Sequence, residues 1–201
     1  MASYYYLITS LPTLFLDEES PITSAEFLAM CDRWLGAEDA RDMHILMAGH
    51  PACAKASSFV PTVGEVGASA DRPEMAKAAC ICQWQQRETE IRNTLVRLRA
   101  AKAHVDAAPF LRPCPGLDLY TERAVAEAMN RPQPLEREIG LDRLRWSLLD
   151  DLARFDPFGL PAVVAYAVKL RLVERWSSLT VEQGRAAVEN YLTQQPMEVA
   201  V

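Results

Sequence analysis

No run of apolar residues in this 201-residue chain approaches the ~20 that a membrane-spanning helix needs. None of residues 1–15 is Lys or Arg, so the apolar opening MASYYYLITSLP lacks the basic region of a secretion signal. The five cysteines, Cys31, Cys53, Cys80, Cys82 and Cys114, are odd in number and include no C-x-x-C pair. A disulfide framework is therefore not expected, and a reducing cytoplasm is. With eight glycines the chain forms no glycine-rich phosphate loop, and G-x-S-x-G and Glu-x-x-His are both missing. A net charge of −6 opposes general binding to a nucleic acid backbone. β-type alternation never persists beyond a few residues.

What remains is helical periodicity. Thr23-Ser24-Ala25-Glu26 is a capping box that opens a helix ending at Gly36, with a second short helix over 37–48. Residues 49–72 carry Pro51, Pro61, Gly64 and Gly67 and break all periodicity, the pattern of a long loop. From 73 to about 107 neither Pro nor Gly occurs beyond Pro73, so one long helix is expected. Its seam is Ile81, Trp84, Glu88, Ile91, Leu95, Leu98, Lys102 and Val105, heptad spacing with two polar interruptions. Arg87, Glu90, Arg92, Arg97 and Arg99 form its charged flanks, with Glu88 and Arg92 as an i,i+4 pair.

The breaker PFLRPCPG at 109–116 marks a boundary between two lobes, 1–108 and 117–201. Helices are expected over 119–130, over 135–154 with two apolar stripes (Leu135, Ile139, Trp146 and Leu149; Leu141, Leu148, Leu152 and Phe155), and over 160–176 with a first half apolar all round. Another capping box, Thr180 to Gln183, opens a last helix to about 193. The fold class is all-α: a helical bundle with one long central helix.

Catalytic constellations are scarce. His50-Pro-Ala-Cys53 has metal-like spacing but no second pair, and His104 reads as a solvated residue near a helix end. Glu136, Glu138 and Asp142 cluster on one helix, where an ion-pair network with Arg145 outweighs acid–base chemistry. The expectation is no catalytic, cofactor or metal site, with a small enzyme or ligand-binding module using the 49–72 loop as a lid kept as an alternative. The tyrosines Tyr4, Tyr5 and Tyr6 cannot share one face, so a buried first element with one tyrosine left for a partner is expected.

Three stretches together carry a resemblance: YYYLITSLPTL, QWQQRETEIRNTLVRLRAAK, and PLEREIGLDRLRW followed by AVVAYAVKLRLVERW. The chain resembles an uncharacterised bacterial family encoded within V-type (archaeal/vacuolar-type) ATP synthase operons. More distantly it is similar to the C-type stalk protein of those enzymes, d-type in vacuolar versions, an all-α protein of repeated lobes. Each such lobe carries an acidic residue, Asn three later, then a Leu-Arg pair; Glu90, Asn93 and Leu98-Arg99 stand at those offsets. The run Leu135 to Asp142, with Glu138 and Asp142, and then Tyr166, Lys169 and Glu174 fit the later pattern, whereas no Asn occupies 177. This chain has room for two such lobes at most.

The resemblance implies a non-catalytic accessory or central-stalk component whose partners are the other V-type ATP synthase subunits, in the central stalk and rotor ring. It would lie in the cytoplasm, peripheral to the inner face of the membrane through that complex. A transient assembly factor or helical adaptor is the alternative within the same class.

Overall fold

The computed structural model describes residues 4–49, 78–114 and 118–194. Among them lie eight α-helices, one short 3-10 turn and no strand. They are α1 (Tyr5–Ser10), α2 (Ser24–Trp34), α3 (Ala37–Gly49), α4 (Ala79–Ala103), α5 (Leu119–Met129), α6 (Pro134–Ala153), α7 (Leu160–Ser177) and α8 (Val181–Gln194). The all-α bundle read from periodicity is the observed architecture. The loop expected over 49–72, with His50 and Cys53, falls almost wholly outside the described residues.

Local chemistry starts most helices where the sequence marks them. Both halves of the α2 capping box form: Thr23 Oγ1 accepts from the Glu26 N–H at 3.2 Å, and the Thr23 N–H donates to Glu26 Oε2 at 2.8 Å. Asp118 caps α5, accepting from the Tyr120 N–H at 3.0 Å. Pro134 and Pro161 occupy first-turn positions of α6 and α7, where no backbone N–H is needed.

The long helix differs from expectation at both ends. It runs from Ala79, because Ala78 is extended and its N–H is taken by the Asp42 carboxylate at 2.8 Å. It stops at Ala103, because His104 turns left-handed with φ 55°, so the run to 107 ends early without any Gly or Pro. Lys102 and Val105, placed on its seam by spacing, are consequently exposed. Glu90, assigned to a charged flank, is instead buried, as are Asn93 and Thr94. α4 therefore buries two faces.

α7 is the centre of the bundle. It packs against α2, α3, α4 and α6, and its burial continues past its first half to Leu170, Leu172 and Val173. One core cluster joins it to Leu7 of α1, Phe27 of α2, Met43 of α3, Trp84 and Ile91 of α4, Val125 of α5 and Leu149 of α6. Each such fully buried large side chain contributes about 1.5–3 kcal/mol.

α5 and α6 approach closely at Gly140, where an added Cβ would lie 3.0 Å from the Ala128 Cβ. The two stripes read on α6 hold in their middle, at Leu141, Leu148 and Leu149. They fail at their ends, where Leu135 and Phe155 are exposed.

Candidate functional site

The charged residues of α4, α6 and α7 meet in the bundle. Glu88, a polar interruption of the α4 seam, is 3 % exposed and receives Arg145 of α6 twice, Nε to Oε2 at 3.0 Å and Nη2 to Oε1 at 3.2 Å. Arg92 donates to the same carboxylate at 3.2 Å, completing the expected i,i+4 pair. Arg145 Nη1 reaches Asp142 Oδ1 at 2.8 Å.

Asp142 is fully buried, and its other oxygen accepts from Arg175 Nη2 and from Trp176 Nε1 at 2.8 Å. Arg175 lies 5.3 Å from the Trp176 ring centroid and 3.9 Å from Glu138, which is half-exposed at the rim. Burial pulls the Arg145 pKa down, but Glu88 and Asp142 more than reverse this and hold the guanidinium charged. Every carboxylate oxygen of Glu88 and Asp142 is thus engaged by an arginine. Glu136 stands apart, on the half-buried first turn of α6.

A second arrangement holds the connection between α4 and α5. Asn93 uses its whole amide: Nδ2 donates to the Arg112 carbonyl at 2.8 Å and Oδ1 accepts the Arg112 N–H at 3.0 Å. One turn earlier, the Glu90 carboxylate accepts the Asp118 N–H. Arg87 bridges the Asp118 carboxylate at 2.7 Å and Glu90 at 3.7 Å. Burial alone would raise the Asp118 pKa. Hydrogen bonds from Thr121 and Tyr120 and the Arg87 charge outweigh it and hold the carboxyl below its ordinary value.

The remaining motif residues are also fasteners. Glu174 of α7 accepts both the N–H and the hydroxyl of Ser24, at 2.6 and 2.5 Å, and so adds a second cap to α2 from a distant helix. Tyr166 donates to the Pro12 carbonyl at 3.0 Å, and burial pushes its phenol up to about 12. Lys169 pairs with Asp150 at 2.5 Å and sits 4.7 Å from the Trp146 ring centroid. Arg99, by contrast, is exposed and joins neither arrangement, since it lies on the opposite side of α4 from Glu90.

The three tyrosines divide differently from expectation: one is buried and two are exposed. Tyr4 packs in the core, its N–H donates to the Phe158 carbonyl at 2.7 Å, and its hydroxyl donates to Asp39. Burial and Asp39 push its phenol up to about 12. Tyr5 leans on Phe158, with centroids 5.1 Å apart, and Tyr6 stacks on Trp34 at 6.1 Å. Tyr6, Ser10, Ala29, Met30, Arg33 and Trp34 line an open groove of about 630 Å³ between α1 and α2.

Among the described residues no group of three His, Cys, Asp or Glu side chains is placed to hold a metal ion. Cys31 is buried, which pushes its thiol up to about 12 and leaves it a poor nucleophile. His44 pairs with Asp32 at 2.8 Å on an exposed surface.

Sequence reading found Arg87, Glu88, Glu90, Arg92, Asn93, Glu138, Asp142 and Arg145 but missed Arg175, Trp176 and Asp118, which complete the two clusters. Arg112, Asp39 and Phe158 carry no motif. The available signal for the α4–α6 contact was Glu88 itself, an acid on an otherwise apolar seam.

Residues 115–194 match a family described as "Protein of unknown function (DUF2764)". That span takes in α5 to α8 and leaves out α4, which supplies Glu88 and Glu90. No curated protein and no solved structure matches the chain.

Proposed function

We propose that this chain is a non-catalytic accessory or central-stalk component of a V-type ATP synthase, one that couples or assembles rotor parts in the manner of the C-type stalk protein. The specific complex rests on the resemblance of the three sequence stretches; the matched family description carries no activity or partner. One observation supports the mechanical part of the reading: Glu90, Asn93, Asp142, Tyr166, Lys169 and Glu174 each hold another element of the chain. Groups committed to arginines, backbone amides and helix ends are not free to turn over a substrate. They make a bundle whose helices resist sliding, as a part that passes on torque or holds others in place must.

The partners in this proposal are the other subunits of that complex, and the chain reaches the membrane through them. No described helix is long and apolar enough to cross a membrane.

The test is affinity purification of the tagged chain from its native host under conditions that keep rotary ATPases intact. Stoichiometric recovery of ATPase subunits is the expected result. Substoichiometric recovery, limited to assembly intermediates, would shift the role to a transient assembly factor. Recovery with no ATPase subunit would overturn the proposal.

A further inference from the structure

α8 is helical, yet among the described residues no element covers it. Every described side chain along it is exposed, including Val181, Val188 and Tyr191. A helix of about 14 residues is marginal in water by itself, and in proteins such helices gain most of their stability by burying an apolar face. Val181, Gly184, Val188 and Tyr191 recur at three- and four-residue intervals and so form one face about 15 Å long. Among the described residues its middle is unobstructed, since none of them lies within 4 Å of where a Gly184 Cβ would be.

The charged residues, Glu182, Arg185 and Glu189, gather on one flank at ~40–100° from Val181, and two of the three are acidic. Interfacial membrane helices favour Lys and Arg on the polar face, so this flank suits a protein groove better than a lipid surface.

The same chain presents such a groove. The α1–α2 cleft is lined by Tyr6, Ala29, Met30 and Trp34 together with Thr9 and Ser10, and Arg33 is the one charged residue among the residues that line it. Arg33 lies 5.2 Å from the Trp34 ring centroid, beside the Tyr6–Trp34 stack. An apolar helix face with an acidic flank complements an aromatic groove with a cationic rim. Along α2 the groove runs from Ala29 to Trp34, ~7.5 Å, and so takes about half of the α8 face.

We propose that α8 of one copy docks in the α1–α2 groove of a second copy, and that the exchange is reciprocal. Each copy has one helix and one groove, so a two-fold arrangement satisfies both and leaves no open end. This contact stands independently of the ATP synthase reading, because it is made by the purified chain alone.

The test combines molar mass in solution with complementation between two surface variants. Light scattering on the full chain should give twice 22.4 kDa at micromolar concentration. Val188→Asp, which blocks the helix, and Ala29→Glu, which blocks the groove, should each give a monomer with unchanged helical circular dichroism. Mixed together they should recover a dimer, because the intact helix of one meets the intact groove of the other.

A wild-type monomer would overturn the proposal, and its binding to anionic vesicles would assign α8 to a membrane. A monomer in which deleting α8 exposes the groove would assign the helix to its own chain. A dimer that survives Val188→Asp, or variants that fail to complement, would also overturn it. Open-ended oligomers would overturn the reciprocal exchange.

Discussion

Arg145 on α6 grips Glu88 on α4 with two N–H···O bonds of 3.0 and 3.2 Å across 57 residues of chain. Both side chains are at most a tenth exposed, so neither charge can turn to water if the other is removed. Taking both charges out of water is itself expensive, which makes the pair a strong determinant of which helices meet and a weaker source of net stability.

Glu88→Ala should therefore cost about 3–5 kcal/mol, because it removes the acceptor of Arg145 Nε and Nη2 and leaves Asp142 alone to hold that buried guanidinium. A Glu88→Leu, Arg145→Met double variant should recover much of that loss, since it removes both charges at similar volume. Urea unfolding of the two single variants and the double variant checks this. A single variant within ~0.5 kcal/mol of wild type would show that the contact is not made in solution.

Asn93→Ala should remove both hydrogen bonds to the Arg112 backbone, and because Arg112 is an exposed residue water can replace them in part. The cost should be about 0.5–1.5 kcal/mol per bond. The sharper readout is hydrogen exchange. The Arg112 amide should exchange much faster in the variant, with little change at Leu149 in the core. Equal protection at Arg112 in both proteins would refute the clamp.

Two phenols should titrate late. Tyr4 and Tyr166 have folded pKa values of about 12, above their unfolded value of 10.0, so the folded state favours their neutral forms. The sign follows: their contribution is fully present below pH 10 and is lost as pH rises towards 12. Absorbance at the phenolate band should show a late step that Tyr4→Phe and Tyr166→Phe each reduce; a step unchanged in both variants would refute the assignment.

The acid side carries the opposite sign at Asp118. Its folded pKa lies below the ordinary 3.8, so its contribution is present above that value and is lost as pH falls beneath it. Asp118→Asn should flatten the acid limb of the stability–pH curve. Asp118→Ala should in addition cost about 1 kcal/mol at neutral pH, through the lost α5 cap. An unchanged acid limb in Asp118→Asn would remove the carboxylate from the account.

Burial separates two apolar residues, one on α6 and one in the turn beyond it. Leu149 is 0 % exposed and Phe155 is 92 % exposed, although apolar spacing gave both a place on a stripe. Leu149→Ala should cost about 2–5 kcal/mol and Phe155→Ala less than ~0.5. Thermal or urea melts of the two variants decide it.

Local chemistry determined much of what is seen. Thr23 and Glu26 start α2, the breakers near 109–116 and 132–134 separate α4, α5 and α6, and FDPFG turns the chain into α7. These signals act within a few residues, so they are readable without knowing what packs where. Glu88 was also visible as a polar break in an apolar seam and Asp142 as part of an acidic cluster on one helix, whereas Glu90, Asn93 and Glu174 stood out through the resemblance to the C-type stalk protein.

Only the tertiary structure decided what those residues do. Periodicity places Glu90 on a flank, but Asp118, at the start of α5, donates its N–H to that carboxylate, and nothing local to α4 encodes the arrival of Arg112 or Asp118. Tyr4, Tyr5 and Tyr6 are chemically identical. What separates them is that Phe158 and Asp39, from two distant parts of the chain, converge on Tyr4, while Tyr5 and Tyr6 face outward. The physical reason is one of range: helix starts and stops are set by backbone hydrogen bonds over three or four residues, whereas burial and ion pairing are set by whichever helix packs alongside.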